Sequence, residues 1–188
     1  MLFTPTRLPG ATIIDLELRA DERGFFARTY CREEFVVAGL EALAEQCNVS
    51  YNHLAGTVRG MHYRLPPVRE AKLVRCVRGA ILDVGIDLRP ESSTYLNHVS
   101  VQLTAENRRA LYVPAMFAHG FQTLTDGAEV SYQMSEAYTA GGDCGLRHDD
   151  PALGLFWPLP VSVISPQDTA WPLLTEHPGG RRPCEQVG

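Results

Sequence analysis

The sequence predicts an all-β fold, a barrel or jelly roll, on three observations. Ten short runs rich in Val, Ile, Leu, Tyr and Thr follow one another along 188 residues. Turn residues separate them, among them Gly56, Gly79, Pro90, Gly127 and Gly141. Only one stretch carries a helical period. Many short strands at even spacing with one early helix is the pattern of a closed or double-layered antiparallel sheet.

In chain order, strands are expected at 12–18 and 24–30, then a helix from about Arg32 to Glu45. Phe35, Val36, Leu40, Leu43 and Ala44 recur there at three- and four-residue steps, which marks one apolar helix face. Further strands are expected at 46–51, 57–63, 71–77, 80–88, 97–103, 110–113, 118–124 and 128–138. No internal repeat or linker divides them, so residues 1–174 read as one domain. The stretch TEHPGGRRPCEQVG, residues 175–188, is rich in Pro, Gly and charge and reads as a loose tail.

Net charge is −5 and the basic residues form no long run, which argues against nucleic acid as a partner. The first residues, MLFTPTRLPGATIIDLEL, hold no apolar run of signal-peptide or membrane-span length. Five cysteines without metal-type spacing suit reduced thiols and a cytoplasmic location.

The chemistry concentrates in RGMHYRLPPVREAKLV, which brings Arg59, His62 and Lys72 close together on adjacent strands. Two cations and an imidazole suit a site that holds an anion, removes a proton and stabilises the charge left behind. No core accommodates three such groups unpaired. Strand alternation adds detail. Lys72, Val74 and Cys76 share one face, as do Val130, Tyr132 and Met134, so Lys72 and Tyr132 can both point into a lumen. Strict alternation would send Arg59 and His62 to opposite faces. Gly60, between them, is the natural place for a bulge that returns both to one pocket. His119 and Tyr132 are candidate partners, with Tyr138 competing with Tyr132. Asp83 and Asp87 either line the lumen or face solvent.

The segments DERGFFARTY, QCNVSYN, GTVRGMHYRLPP, AKLVRCVRGAILDVGIDLRPESSTY, LYVPAMFAHGFQTL, EVSYQMSEAY, LRHDDP with a following WP, and ISPQD occur in this order from about residue 10 to residue 172. Together they resemble the dTDP-4-dehydrorhamnose 3,5-epimerase family, cupin-fold enzymes of deoxysugar biosynthesis. The resemblance implies a cupin-type jelly-roll β-barrel that forms a homodimer with exchanged N-terminal strands. It implies His62 as the base, Asp168 as its orienting carboxylate and Tyr132 as the proton donor. Arg59, Lys72 and His119 match residues that hold sugar and diphosphate. Arg23, Phe26, Gln46 and Asn48 match the nucleotide end.

Those residue types fit the implied reaction. In a nucleotide-diphosphate 4-keto sugar, carbons 3 and 5 flank the carbonyl, and loss of either proton leaves an enolate. An imidazole can accept that proton near neutral pH, a carboxylate on its other nitrogen fixes the tautomer, and a phenol can return a proton. Lys72 near the ketone oxygen would stabilise the enolate. No cofactor is required, because the substrate is its own electron sink.

Two departures, with a milder third, bear on the nucleotide. Arg28 stands where the family commonly has glutamate, and an arginine can only donate, which suits cytosine's acceptor edge and raises a CDP-linked substrate as an alternative. Gln167 replaces a lysine before Asp168, and Asp143 replaces a glutamate. A metal-dependent cupin is a second alternative, through His62, Glu70 and His119, although Arg64 occupies the position of one more histidine ligand. A catalytically silent sugar-binding module is a third.

Overall fold

The computed structural model describes residues 1–42, 45–139 and 142–174, apart from the side chain of Asp143. These residues form β1 (Leu2–Pro5), β2 (Thr12–Asp15), β3 (Arg19–Asp21), β4 (Gly24–Phe26), α1 (Arg32–Val37), β5 (Gln46–Asn52), β6 (Val58–Arg64) and β7 (Lys72–Arg78). There follow β8 (Ala80–Asp87), β9 (His98–Thr104), β10 (Ala110–Val113), β11 (Phe117–Thr123), β12 (Ala128–Met134), β13 (Asp143–Gly145) and α2 (Pro166–Ala170). One sheet runs β1-β2-β10-β7-β12-β5, a second runs β13-β6-β11-β8-β9, and β3 and β4 form a separate hairpin. The strand pairs within them are antiparallel.

Alternation builds the core. Val74, Cys76, Leu111, Val113 and Val130 of the first sheet pack on Ile81, Val99, Val101, Leu103, Phe117 and Phe121 of the second. This is the expected all-β jelly roll, two sheets facing across one apolar layer. The outer faces are covered too. Phe35 of α1 packs on Ile14, Leu73, Ala110 and Tyr112, while Leu146 and Leu153 join Met61, Tyr63, Val84 and Ile86 behind the second sheet.

The helix is shorter than its period suggested. It stops at Val37 because Gly39 takes φ +73°. Gly39 N then donates to Val36 O at 3.0 Å and Leu40 N to Phe35 O at 2.9 Å, a Schellman ending with Leu40 folded back onto Phe35. Leu43, Ala44 and the 175–188 tail lie outside the described residues. The expected 12–18 strand ends at Asp15, and the chain turns into the β3–β4 hairpin, where Asp21 Oδ1 accepts from Arg23 N at 2.9 Å. β1, β3 and β13 carry too few residues for a periodic signal. Cys31, Cys47 and Cys76 are free thiols. Cys144 is disulfide-bonded, which corrects the expectation of a reduced thiol at every position.

Candidate active site

The site begins at an irregularity. In β6, His62 pairs with His119 and Arg59 with Phe121, so three steps on β6 span two on β11. The extra residue is absorbed around Gly60, at φ +113°. A Cβ there would lie 2.6 Å from Gly120 Cα and 2.7 Å from His119 O, so glycine is required for conformation and for space. The consequence is the one the Gly60 reading anticipated: Arg59 and His62 line the same cavity.

That cavity, about 560 Å³, opens between the two sheets. Arg59, His62 and His119 come from the second sheet; Gln46, Asn48, Lys72, Tyr132 and Met134 come from the first. Tyr138, Gln167 and Asp168 close its rim. Register accounts for the first wall. Tyr132 lies opposite Asn48, and Met134 lies opposite Gln46 on one side and Lys72 on the other. With a side-chain period of two, these neighbours face inward together.

His62 Nε2 lies 2.6 Å from Asp168 Oδ1. Asp168 sits on α2, whose N-cap Ser165 accepts from Asp168 N at 3.0 Å. Its carboxylate reaches His62 and also accepts from Gly60 N at 3.3 Å. Burial alone would raise the Asp168 pKa; the His62 hydrogen bond and charge, with Gly60 and Ser165, outweigh it and hold the group below the ordinary carboxylate value.

The remaining polar groups are held individually. Lys72 Nζ is 3.1 Å from Glu70 Oε1. Arg59 Nε donates to Asn52 Oδ1 at 2.7 Å, which leaves the two terminal guanidinium nitrogens for an anion. Asn52 is itself fixed by donating to Ala128 O at 3.2 Å. His119 Nε2 lies 2.8 Å from Asp83 Oδ1. Tyr138 N donates to Gln46 Oε1 at 2.9 Å, and Asn48 Nδ2 points at Met134 Sδ at 3.3 Å.

Asn52, Glu70, Asp83 and Ser165 therefore support the residues of the cavity; Asn52 and Ser165 were not singled out from sequence, Glu70 only as a candidate metal ligand, and Asp83 was left open between lumen and solvent. Asp83 had a signal, since its strand alternates with apolar residues, but only the β8–β11 pairing decides that it meets His119. Asp87 is buried elsewhere, with Arg89, Ser92 and Thr94. Arg64 is also buried and donates to Thr139 O at 3.0 Å.

Among the described side chains, three expected positions, Arg23, Phe26 and Arg28, fall outside this cavity. Arg23 pairs with Asp21 at 2.5 Å and Arg28 with Glu34 at 2.7 Å. Phe26, on the same hairpin, is 69% exposed. Within one chain this hairpin lines a different, smaller hollow near Glu17 and Glu34. Asp143 pairs by backbone with Arg64. Among the described residues no three of His, Cys, Asp and Glu converge as a cation site, and His62, Glu70 and His119 each face another partner.

The chain as a whole is similar to known proteins. Residues 5–176 match the family model described as dTDP-4-dehydrorhamnose 3,5-epimerase. A dTDP-4-dehydrorhamnose 3,5-epimerase of Methanothermobacter thermautotrophicus is 41% identical over 94% of this chain and 96% of its own. A dTDP-4-dehydrorhamnose 3-epimerase of Streptomyces niveus is 37% identical over 94% of this chain and 85% of its own. The crystal structure of the Bacillus anthracis 3,5-epimerase with TDP and PPi bound superposes with a TM-score of 0.87 at 37% identity, covering 92% of this chain and 99% of that one.

Proposed function

The chain belongs to the dTDP-4-dehydrorhamnose 3,5-epimerase family, an isomerase family, and from that premise we propose that it inverts carbon 3, carbon 5 or both of a dTDP-linked 4-keto-6-deoxyhexose. The observation that carries the proposal is the facing of His62 and Tyr132. One comes from each sheet, both open on a single cavity, and Lys72 lies in the same wall as Tyr132.

In this reading Asp168 holds Nε2 of His62, so Nδ1 takes the proton from the carbon beside the ketone. The electron pair left behind becomes the enolate, whose oxygen lies near the Lys72 ammonium. Losing one such preorganised donor costs on the order of 3 kcal/mol of barrier. Tyr132 then delivers a proton to the opposite face, and the configuration inverts. Arg59, with its Nε tied to Asn52, presents its terminal N–H groups to the diphosphate. Tyr138, Gln46, Asn48, His119, Asp143 and Gln167 surround or flank the sugar and nucleotide.

Arg23, Phe26 and Arg28 sit on an exposed hairpin away from their own cavity. Their place in the reaction is therefore at the nucleotide end of a second subunit's site, in a homodimer with exchanged N-terminal strands. Co-expression of His62→Ala with Arg23→Ala chains tests this. Hairpins acting in trans leave one intact site per mixed dimer and restore activity; hairpins acting in cis restore none. Because Arg28 already donates to Glu34, we assign dTDP rather than a CDP sugar as the natural ligand, and competition binding of dTDP against CDP decides the base.

The direct test of the reaction is proton NMR of dTDP-4-keto-6-deoxyglucose in deuterated water with this protein. Loss of the carbon 3 or carbon 5 signal reports proton exchange at each carbon. A substrate spectrum that stays unchanged would overturn the proposal.

A further inference from the structure

Asp168 rides on a helix with little hold of its own. α2 has five residues, and Asp168 is its one buried member. A single helical turn does not persist without tertiary anchorage. The apolar anchor is the next residue, Trp171, which is partly buried.

The indole lies against Gly145. A Cβ built on Gly145 would sit 2.1 Å from Trp171 Nε1 and 2.2 Å from Cε2. Gly145 is not among the glycines with left-handed backbone, so its conformation is open to any residue and the indole alone demands glycine there. Trp171 Nε1 is buried with no hydrogen-bond partner among the described residues, so the ring is there for packing and not for its N–H. Gly145 in turn is the strand partner of His62. The contacts close a circuit: His62 to Gly145 through the sheet, Gly145 to Trp171 by packing, Trp171 to Asp168 along the chain, and Asp168 back to His62 at 2.6 Å. Beyond Trp171, Leu174 N donates to Asp150 Oδ2 at 2.7 Å and pins the far end of the segment.

We propose that Trp171, seated on Gly145, is a positioning residue that keeps the Asp168 carboxylate on His62. Its catalytic consequence rests on His62 being the base. The full-length protein is tested as Trp171→Leu, Trp171→Phe, Gly145→Ala and the Gly145→Ala/Trp171→Leu double variant, with three readouts. These are kcat and KM for deuterium exchange, thermal unfolding, and the strongly deshielded proton of the His62–Asp168 hydrogen bond in the NMR spectrum.

Trp171→Leu is expected to lower kcat on the order of 10- to 100-fold, the scale of an ångström misplacement. KM should stay within roughly threefold, since no ground-state contact is removed, and the deshielded proton should move upfield or broaden. Trp171→Phe should recover most of the loss. Gly145→Ala should reproduce it, and should add little in the Trp171→Leu background because the two act through one contact. A folded Trp171→Leu protein with unchanged kcat and an unmoved proton overturns the proposal, as does full additivity in the double variant. Should Trp171→Leu fail to fold, Trp171→Phe and Gly145→Ala are judged on the same proton. If His62→Ala retains exchange, the base assignment fails, while the deshielded proton still decides whether Trp171 positions the pair.

Discussion

Two histidine–carboxylate pairs open on one cavity, and they are built differently. His119 and Asp83 lie on adjacent strands of one sheet, where Phe121 is opposite Asp83 and His119 opposite Gly85. Both are enclosed, at 11% and 0% side-chain exposure. His62 takes its carboxylate from α2, 106 positions away in sequence. Asp168 is enclosed at 5%, yet the imidazole stays 42% exposed. A carboxylate within the sheet closes over its histidine and fixes it. A carboxylate brought from outside supports the ring from behind and leaves its free edge to a substrate. The first arrangement suits a fixed hydrogen-bond partner and the second a base.

The comparison breaks most directly at the two histidines. His62→Ala should abolish deuterium exchange at both carbons. Asp168→Asn should lower kcat by roughly 10²- to 10⁴-fold, the range seen when an orienting carboxylate is neutralised. His119→Asn should cost less, on the order of 10- to 100-fold and mainly in KM. Equal losses from His62→Ala and His119→Asn in the NMR exchange assay would show that the difference in construction has no catalytic meaning.

Tyr132→Phe should separate the steps. Proton removal persists, because the base remains, but inversion stalls without its donor. Slow or wrong-face deuterium incorporation is the expected spectrum, and ordinary turnover would pass the donor role to Tyr138 or to water.

Gly60→Ala tests the bulge that brings His62 and Arg59 together. Its Cβ would collide with backbone of β11, so relief requires the strands to part. A loss of several kcal/mol is expected, on the order of other severe steric or backbone defects, measured by denaturant unfolding. A stable, active Gly60→Ala protein would mean the bulge is not needed.

The smallest expected effect lies away from the site. Burial works to raise the Asp87 pKa, but its bonds from Arg89, Ser92 and Thr94 outweigh that and lower it to about 2. A depressed carboxylate contributes stability above its unfolded pKa, near 3.8, and that contribution is lost as pH falls toward 2. It amounts to about 2 kcal/mol. Asp168, also lowered, acts in the same direction. Unfolding free energies at pH 6 and pH 3 should therefore converge between the wild type and Asp87→Asn as the medium is acidified.

Much of the fold could be read from the chain because period-two alternation is itself the physical cause of two facing sheets. The helix end escaped because a single positive-φ glycine overrode an apolar period that continued past it. Among the site residues, Arg59, His62, Lys72 and Tyr132 were legible from strand face and local clustering, and Gly60 from the conflict between them. Asp168 came only through the family resemblance, since a carboxylate in a Pro-flanked loop looks like a cap. Asn52 gave no usable signal, Glu70 entered only as a candidate metal ligand, and Asp83 offered only the alternation of its strand, because their importance lies in what they hold.

The sequence by itself determined an all-β chain with cations and an imidazole on two successive strands, since alternation, turn residues and charge act over a few neighbouring positions; that these strands lie in opposite sheets and not side by side is a tertiary outcome. Tertiary structure alone decided which carboxylate meets which histidine, that Arg59 is tied to Asn52, and that Arg23, Phe26 and Arg28 stand apart from their own cavity. Those outcomes depend on strand register and on contacts between distant segments, whose energies no local window of residues contains.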